Sequence, residues 1–413
     1  MRTGRAGRAL GMLASVALML SACTQGSARP RSASNDAPAR KAPPKPYSRD
    51  PFPSTYHAYP GVPTLVTNVT VFDGEGNRIE RGQVLFADGK IVAVGQSVSA
   101  PAGVTTIDGT GKFVTPGIID IHSHLGDYPS PQIRALSDGN EATAPVTADV
   151  WAEHSVWPQD PGFSRALANG GVTTLQILPG SANLFGGRSV VLKNVYARTT
   201  QGMKFPGAPY GLKMACGENP KRVYGSKGRE PSTRMGNIAV DRATWAKAAA
   251  YKRKWDKYDA DGGDMPDRDI AMDTLRGVLS GEILVQNHCY RADEMANVLD
   301  MAKEFAYHVE AFHHAVEAYK IADKLAAEGI CGALWADWWG FKMEAFDGIQ
   351  ENIALVDRVP GGCAIVHSDS AEGIQRLNQE AAKVMANAFS AGFHRFIHRF
   401  LAVPVGSRER ATR

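Results

Sequence analysis

The sequence predicts an α/β protein: a (β/α)8 barrel of the TIM type, preceded by a small all-β region. Beyond Asp120, short apolar runs alternate with helical stretches, which argues a parallel sheet with helical crossovers. Between Pro63 and Asp108 short β-branched runs are instead broken by Asp73-Gly74 and Asp88-Gly89, the signature of hairpins. A third observation concerns chemistry. Metal-ligating residue types fall just past the apolar runs, where a parallel barrel gathers its loops on one face.

In chain order, Arg2, Arg5 and Arg8 precede an apolar run from Ala9 to Leu20 and the small-residue stretch Ser21-Ala22-Cys23. A basic start, an apolar stretch too short to span a bilayer and a small-residue cleavage site make a signal peptide. Residues 23–62 are rich in Ser, Pro, Ala and Arg, bury too little apolar surface to fold and are expected to form a tether.

About 350 residues remain, enough for one large domain with a satellite, and 44% hydrophobic content is ordinary for a globular chain. Net charge is +4, but three of the arginines lie in the signal segment with no acid beside them, leaving the rest near +1. That balance gives no argument for nucleic acid. Cys216, Cys289, Cys331 and Cys363 lack a paired spacing and are expected to be free, mostly buried thiols.

The hairpin region, residues 63–116, contains the runs Thr64–Phe72, Gln83–Phe86 and Ile91–Gly95. A few such strands are marginal alone and need partners. The barrel, residues 117–388, begins within the stretch Phe113-Val-Thr-Pro-Gly-Ile-Ile-Asp-Ile-His122-Ser-His124. Alternate strand residues share a face, so His122 and His124 can converge on one metal ion. Further strands are expected at Gly171–Ile177, Leu212–Cys216, Ile283–His288, up to His314, and at Cys363–His367, with helices over Ala292–Phe305, Ala315–Glu328 and from about Ser370. Their ends present, in order, His122 and His124, Lys213 or Glu218, His288, His314 and Asp369. Imidazoles with carboxylate oxygens suit a zinc-type divalent ion, and two such ions if the fourth strand donates a bridging group.

His313 should point to the opposite side of its strand from His314 and reads either as packing or as a support behind the ligands. His154 and His308 lack a spacing argument. Trp335, Trp338 and Trp339 either line a substrate mouth or fill core. Gly180–Ser189 reads as a Gly-rich loop whose Arg188 either meets a substrate carboxylate or stands in solvent. Lys247–Lys257 reads as a helix with a solvated face.

Residues 113–124 resemble the PGxIDxHxH signature of the metal-dependent amidohydrolase superfamily. His288-Cys-Tyr290-Arg-Ala-Asp293 is similar to the HxHRAD segment of its dipeptidase-like and imidazolonepropionase-like branch, with Tyr290 in place of the second His, and His314-Ala-Val-Glu-Ala318 resembles its HxxEA segment. Leu20-Ser21-Ala22-Cys23 resembles a bacterial lipobox. That likeness makes residues 1–22 a lipoprotein signal peptide and Cys23 a lipidated N-terminus facing the periplasm, with membrane contact through the lipid only.

The family resemblance implies ligands after the first strand (His122, His124), the fourth (a carboxylated Lys213, or Glu218), the fifth and sixth (His288, His314) and the eighth (Asp369). It implies hydrolysis of a carbon–nitrogen bond in an amide, cyclic amide or small peptide. Metal-bound hydroxide would attack, Asp369 would act as general base and then acid, and His314 or its neighbour would steady the oxyanion. Tyr290 and Arg188 are the substrate-binding candidates. A mononuclear deaminase-type site is disfavoured, because the third position after His288 is Arg291. The same resemblance makes the hairpin strands half of a β-sandwich completed by strands that follow the barrel. Residues 389–413 depart from the family and resemble a frameshifted or truncated end, which leaves a non-catalytic remnant as the alternative reading and exposes an apolar edge that favours pairing with another chain.

Overall fold

The computed structural model describes Ser48 and residues 50–338 and 340–390. The signal segment, Cys23, Trp339 and residues 391–413 lie outside the described residues. The final stretch of the expected tether is seated on the barrel. Asp50 pairs with Lys204 at 2.9 Å, and the Phe52 ring meets Trp151 edge-on at 5.7 Å. Few apolar residues sufficed because a surface for them already existed.

Five strands form the small sheet: β1 (Thr64–Phe72), β2 (Arg78–Ala87), β3 (Lys90–Gly95), β4 (Thr105–Asp108) and β5 (Phe113–Val114). They order as β3-β2-β1-β4, with β5 also on β1, around Val69, Val71 and Val84. Among the described residues this is one sheet rather than two packed layers.

Eight strands follow in a second sheet: β6 (Ile118–Ser123), β7 (Val172–Ile177), β8 (Phe185–Lys193), β9 (Gly211–Ala215), β10 (Leu284–Cys289), β11 (Val309–His314), β12 (Cys331–Leu334) and β13 (Ala364–Val366). They neighbour one another in chain order. The seam between β13 and β6 is tied by the Asp369 N–H donating to the His122 carbonyl at 3.0 Å and the Ser368 N–H donating to Asp120 Oδ1 at 3.2 Å. The protein is therefore a TIM-like barrel beside a small sheet domain.

One strand departs from the expected parallel pattern. Residues 180–189 were expected as a loop, but β8 takes up Phe185 onward and runs antiparallel to both β7 and β9. Its glycines conceal the strand, and they serve close backbone approach: a Cβ on Gly187, at φ +110°, would lie 2.3 Å from the Val150 carbonyl.

The free-thiol expectation is also overturned. Cys216 is bonded to Cys289, and Cys331 to Cys363. Each pair ties neighbouring strands together, with sequence separations of 73 and 32, so no short spacing could announce it.

The helix Ala292–Phe305 forms as expected. The stretch after His314 is shorter, a 3-10 turn at Ala318–Ile321 and a helix at Ala322–Ala327, and the last helix runs Leu377–Ser390. Lys247–Lys257 sits within the helix Arg234–Asp261, which buries Trp245, Ala248, Tyr251 and Trp255 on its inner face. Asp241 is buried on the same helix, and its Oδ1 has no hydrogen-bond partner. Burial raises its carboxyl well above the ordinary range. A raised folded-state value contributes stability that is complete below the unfolded value near 4 and is lost as pH rises. Asp241→Asn should therefore gain roughly 1–3 kcal/mol over wild type at pH 8 and little at pH 4, read by urea denaturation. A difference independent of pH would show that Asp241 ionises freely.

Candidate active site

Strand register assembles the site. Lys213 on β9 pairs with Gln286 on β10, and His288 on β10 pairs with His313 on β11, so these side chains share the barrel interior. Alternation alone would turn His314 outward. Its backbone is left-handed at φ +69°, and His314 turns inward beside His313. Its ring lies 4.7 Å from that of His122 and 4.6 Å from that of His288. The expectation that His313 faces away is therefore overturned. The His313 ring instead bridges Gln286 Oε1 at 2.6 Å and His122 Nδ1 at 2.7 Å, which fixes the His122 imidazole.

Asp369 sits at the centre. Its Oδ1 is 3.3 Å from His122 Nε2 and 3.2 Å from His124 Nε2, while Oδ2 is 3.9 Å from His314 Nδ1. His122 Nε2 and His124 Nε2 are 3.3 Å apart, and Lys213 Nζ is 3.4 Å from His122 Nε2. Glu218, the other fourth-strand candidate, opens the helix Glu218–Gly225, and its carboxylate faces Lys342 at 3.5 Å across the cavity wall. Gly217, left-handed at φ +84°, makes that turn, after which the Glu218 N–H donates to Glu344 Oε1 at 2.7 Å. Lys213 thus joins the histidines and Glu218 does not.

Burial holds the imidazoles of His122, His288, His313 and His314 well below their ordinary range, and sets His367 at about 4. It also pushes the fully buried Lys213 amine down to about 8, opposed by the charge of Asp369. Burial would raise Asp369, but the surrounding His314, His124 and His367 override it and keep the carboxyl ionised. Each of these neutral imidazoles offers one lone pair beside an ionised carboxylate. His288 Nδ1, His314 Nδ1 and both nitrogens of His367 are buried without a hydrogen-bond partner. Two triplets, His122, His124 and Asp369 and His122, His314 and His367, place ligand atoms within 4.8 Å of one another. Such orphaned donors fit a divalent cation.

Over this cluster opens a cavity of about 450 Å³, walled by Glu218, Arg222, Tyr290, Phe341 and Lys342. Tyr290 stacks on His314 at 5.5 Å, and Lys342 Nζ lies 3.9 Å from the Tyr290 ring centroid. Trp335 stacks on His314 at 4.2 Å, and Trp338 on Trp335 at 5.1 Å. Arg188 is not here. As part of β8 it pairs with Leu212, on the opposite face from Lys213, and its side chain lies outside the barrel. His154 packs on Trp151, and His308 lies 4.0 Å from Glu310, both away from the cluster.

Three residues were missed. His367 stands two before Asp369, the same alternate spacing that joins His122 to His124, and that spacing could have found it. Asp120, which receives the Ser368 N–H, stands two before His122 and carries the same signal, whereas Lys342, which comes from the loop after β12, carries none.

No protein-family model matches the chain. Among solved structures, an amidohydrolase from Thermotoga maritima MSB8 is 36% identical, with 78% of this chain and 83% of that chain covered and a TM-score of 0.73. The chain belongs to the metal-dependent amidohydrolase superfamily. A curated relative, amidohydrolase tasK of Hapsidospora irregularis, is 31% identical to this amidohydrolase over 327 residues, 70% of this chain but 33% of that protein. A 5-methylthioadenosine/S-adenosylhomocysteine deaminase of Halalkalibacterium halodurans is 35% identical over 107 residues, 25% of this chain and 22% of that protein. The chain thus spans about a third or less of the length of these two curated relatives.

Proposed function

We propose that this amidohydrolase hydrolyses the carbon–nitrogen bond of an amide, cyclic amide or small peptide in the cavity above Asp369. The observation that carries the reading is the set of buried imidazole nitrogens without partners around an ionised carboxylate. In this reading His122, His124, His288, His314 and Asp369 hold one or two zinc-type ions. Lys213 would help to hold a second: its fully buried, low-pKa amine can exist neutral and add to carbon dioxide, which would give a carbamate and release a proton. Bound there, the ion supplies a polarised carbonyl and an acidified water.

The remaining work falls to side chains. Asp369 accepts the proton of the attacking water and returns it to the leaving nitrogen, as base and then acid. Burial keeps the Tyr290 phenol protonated, so its hydroxyl can donate to the substrate. Arg222 and Lys342 on the wall suit a substrate carboxylate, which points to N-acyl amino acids and dipeptides. The deaminase likeness is confined to a short stretch and concerns the same bond class. Elemental analysis of the purified chain should find one or two zinc-type ions, and a chelator should abolish hydrolysis of such substrates until zinc is returned. Turnover that survives complete chelation would overturn the reading.

For location we propose lipid anchoring through Cys23 in the cell envelope, facing the periplasm, on the strength of the Leu20–Cys23 stretch. The full chain should then partition into detergent and Cys23→Ser into water. Equal partitioning of the two would count against it.

A further inference from the structure

Outside the barrel wall a second cavity, of about 300 Å³, lies among residues that precede β9 and β10, at the amino-terminal ends of these strands. It shares no lining residue with the candidate active site. Arg188 heads it. This side chain is 6% exposed; its Nε donates to Thr274 Oγ1 at 2.8 Å, and its guanidinium carbon lies 4.0 Å from the Trp151 ring centroid and 5.4 Å from that of Tyr210. Among the described residues no carboxylate lies within ion-pair distance of it, and no acceptor bonds its terminal nitrogens. The neighbouring cations are paired: Lys204 with Asp50 at 2.9 Å and Glu153 at 3.1 Å, Arg268 with Asp273 at 2.8 Å, Arg276 with Asp259 at 2.8 Å.

We infer that this cavity binds a small monocarboxylate with an apolar or aromatic body, its carboxylate received by Arg188. The guanidinium lines the cavity with no protein acceptor on its terminal nitrogens, and its planar fork matches a carboxylate with two parallel hydrogen bonds. Trp255, Tyr258, Phe205 and Ile283 supply apolar walls for the ligand's body. The acids that also line the space, Asp50, Asp259 and Asp273 among them, argue against a multiply charged anion such as phosphate. Burial draws the Arg188 guanidinium down to about 10, still fully charged at neutral pH and so able to answer a carboxylate.

The test uses the full chain with phenylacetate and hexanoate as probes and phenylacetamide as the neutral control, followed by tryptophan fluorescence and calorimetry. A chelator is present throughout, so that carboxylate ligation at the histidine cluster is not counted. We expect saturable binding at one site, with phenylacetamide roughly tenfold or more weaker and Arg188→Met weakened roughly ten- to a hundredfold. Ala208→Phe, which fills the same cavity and leaves Arg188 in place, should abolish binding and serves should Arg188→Met fail to fold. Failure of both carboxylates to saturate below about 10 mM, equal binding of the amide, or unchanged affinity in Ala208→Phe would overturn the inference.

Discussion

Asp369→Asn should lower kcat by roughly 10²–10⁴-fold, the contribution of a positioned base, while the protein stays folded and keeps its metal. The substitution is chosen to isolate the proton. Asp369 adopts a left-handed backbone at φ +57°, which Asn tolerates, and its N–H ties β13 to β6 through the His122 carbonyl, which a side-chain change leaves in place. An amide oxygen can still face His122 and His124, 3.3 and 3.2 Å away, but it cannot accept the proton of water at neutral pH. Turnover and metal content are therefore measured on the same preparation. Undiminished turnover would remove Asp369 from the chemistry. Loss of metal together with turnover would show that ligation needs the Asp369 carboxylate charge, and the expectation of a metal-loaded, inactive variant would fail.

What was legible in the sequence followed from period-two alternation and from strand order. His122, His124, His288 and Asp369 each stand at or beside the end of an apolar run and Lys213 lies within one, and a barrel that keeps its strands in chain order must bring these runs together. The failures share a cause too, since each depends on a backbone state that side-chain pattern does not encode. His313 and His314 both enter the cluster because one φ is positive. Arg188 leaves it because β8 runs antiparallel, and a glycine-rich strand looks like a loop until its neighbours are known. The disulfides depend on which strands are adjacent, which the separations of 73 and 32 residues do not state. The segment from Asp50 to Thr55, expected as tether, is ordered by what it touches: its Ser54 hydroxyl donates to the Lys204 carbonyl at 2.6 Å.

Lys213 gives the sharpest choice between two physical accounts of one residue. A fully buried lysine whose nearest polar neighbour is an imidazole 3.4 Å away is either an unpaired charge that the fold tolerates or an amine held neutral for use. The accounts predict opposite signs. If it is only a buried charge, Lys213→Met should stabilise the chain, because an apolar isostere removes a desolvation penalty of several kcal/mol that Asp369 only partly offsets. If its amine is carboxylated, the same change removes a ligand. Bound metal should then fall by about one equivalent and turnover by roughly 10²-fold or more, losses of the size expected when metal ligation is disturbed. Reconstitution of metal-free wild type should also depend on added bicarbonate, and that of Lys213→Met should not. Full metal content and a raised melting temperature in Lys213→Met, with no bicarbonate effect on wild type, would leave a mononuclear site built from His122, His124, His288, His314 and Asp369. The positioning of the fourth strand would then be explained by packing alone.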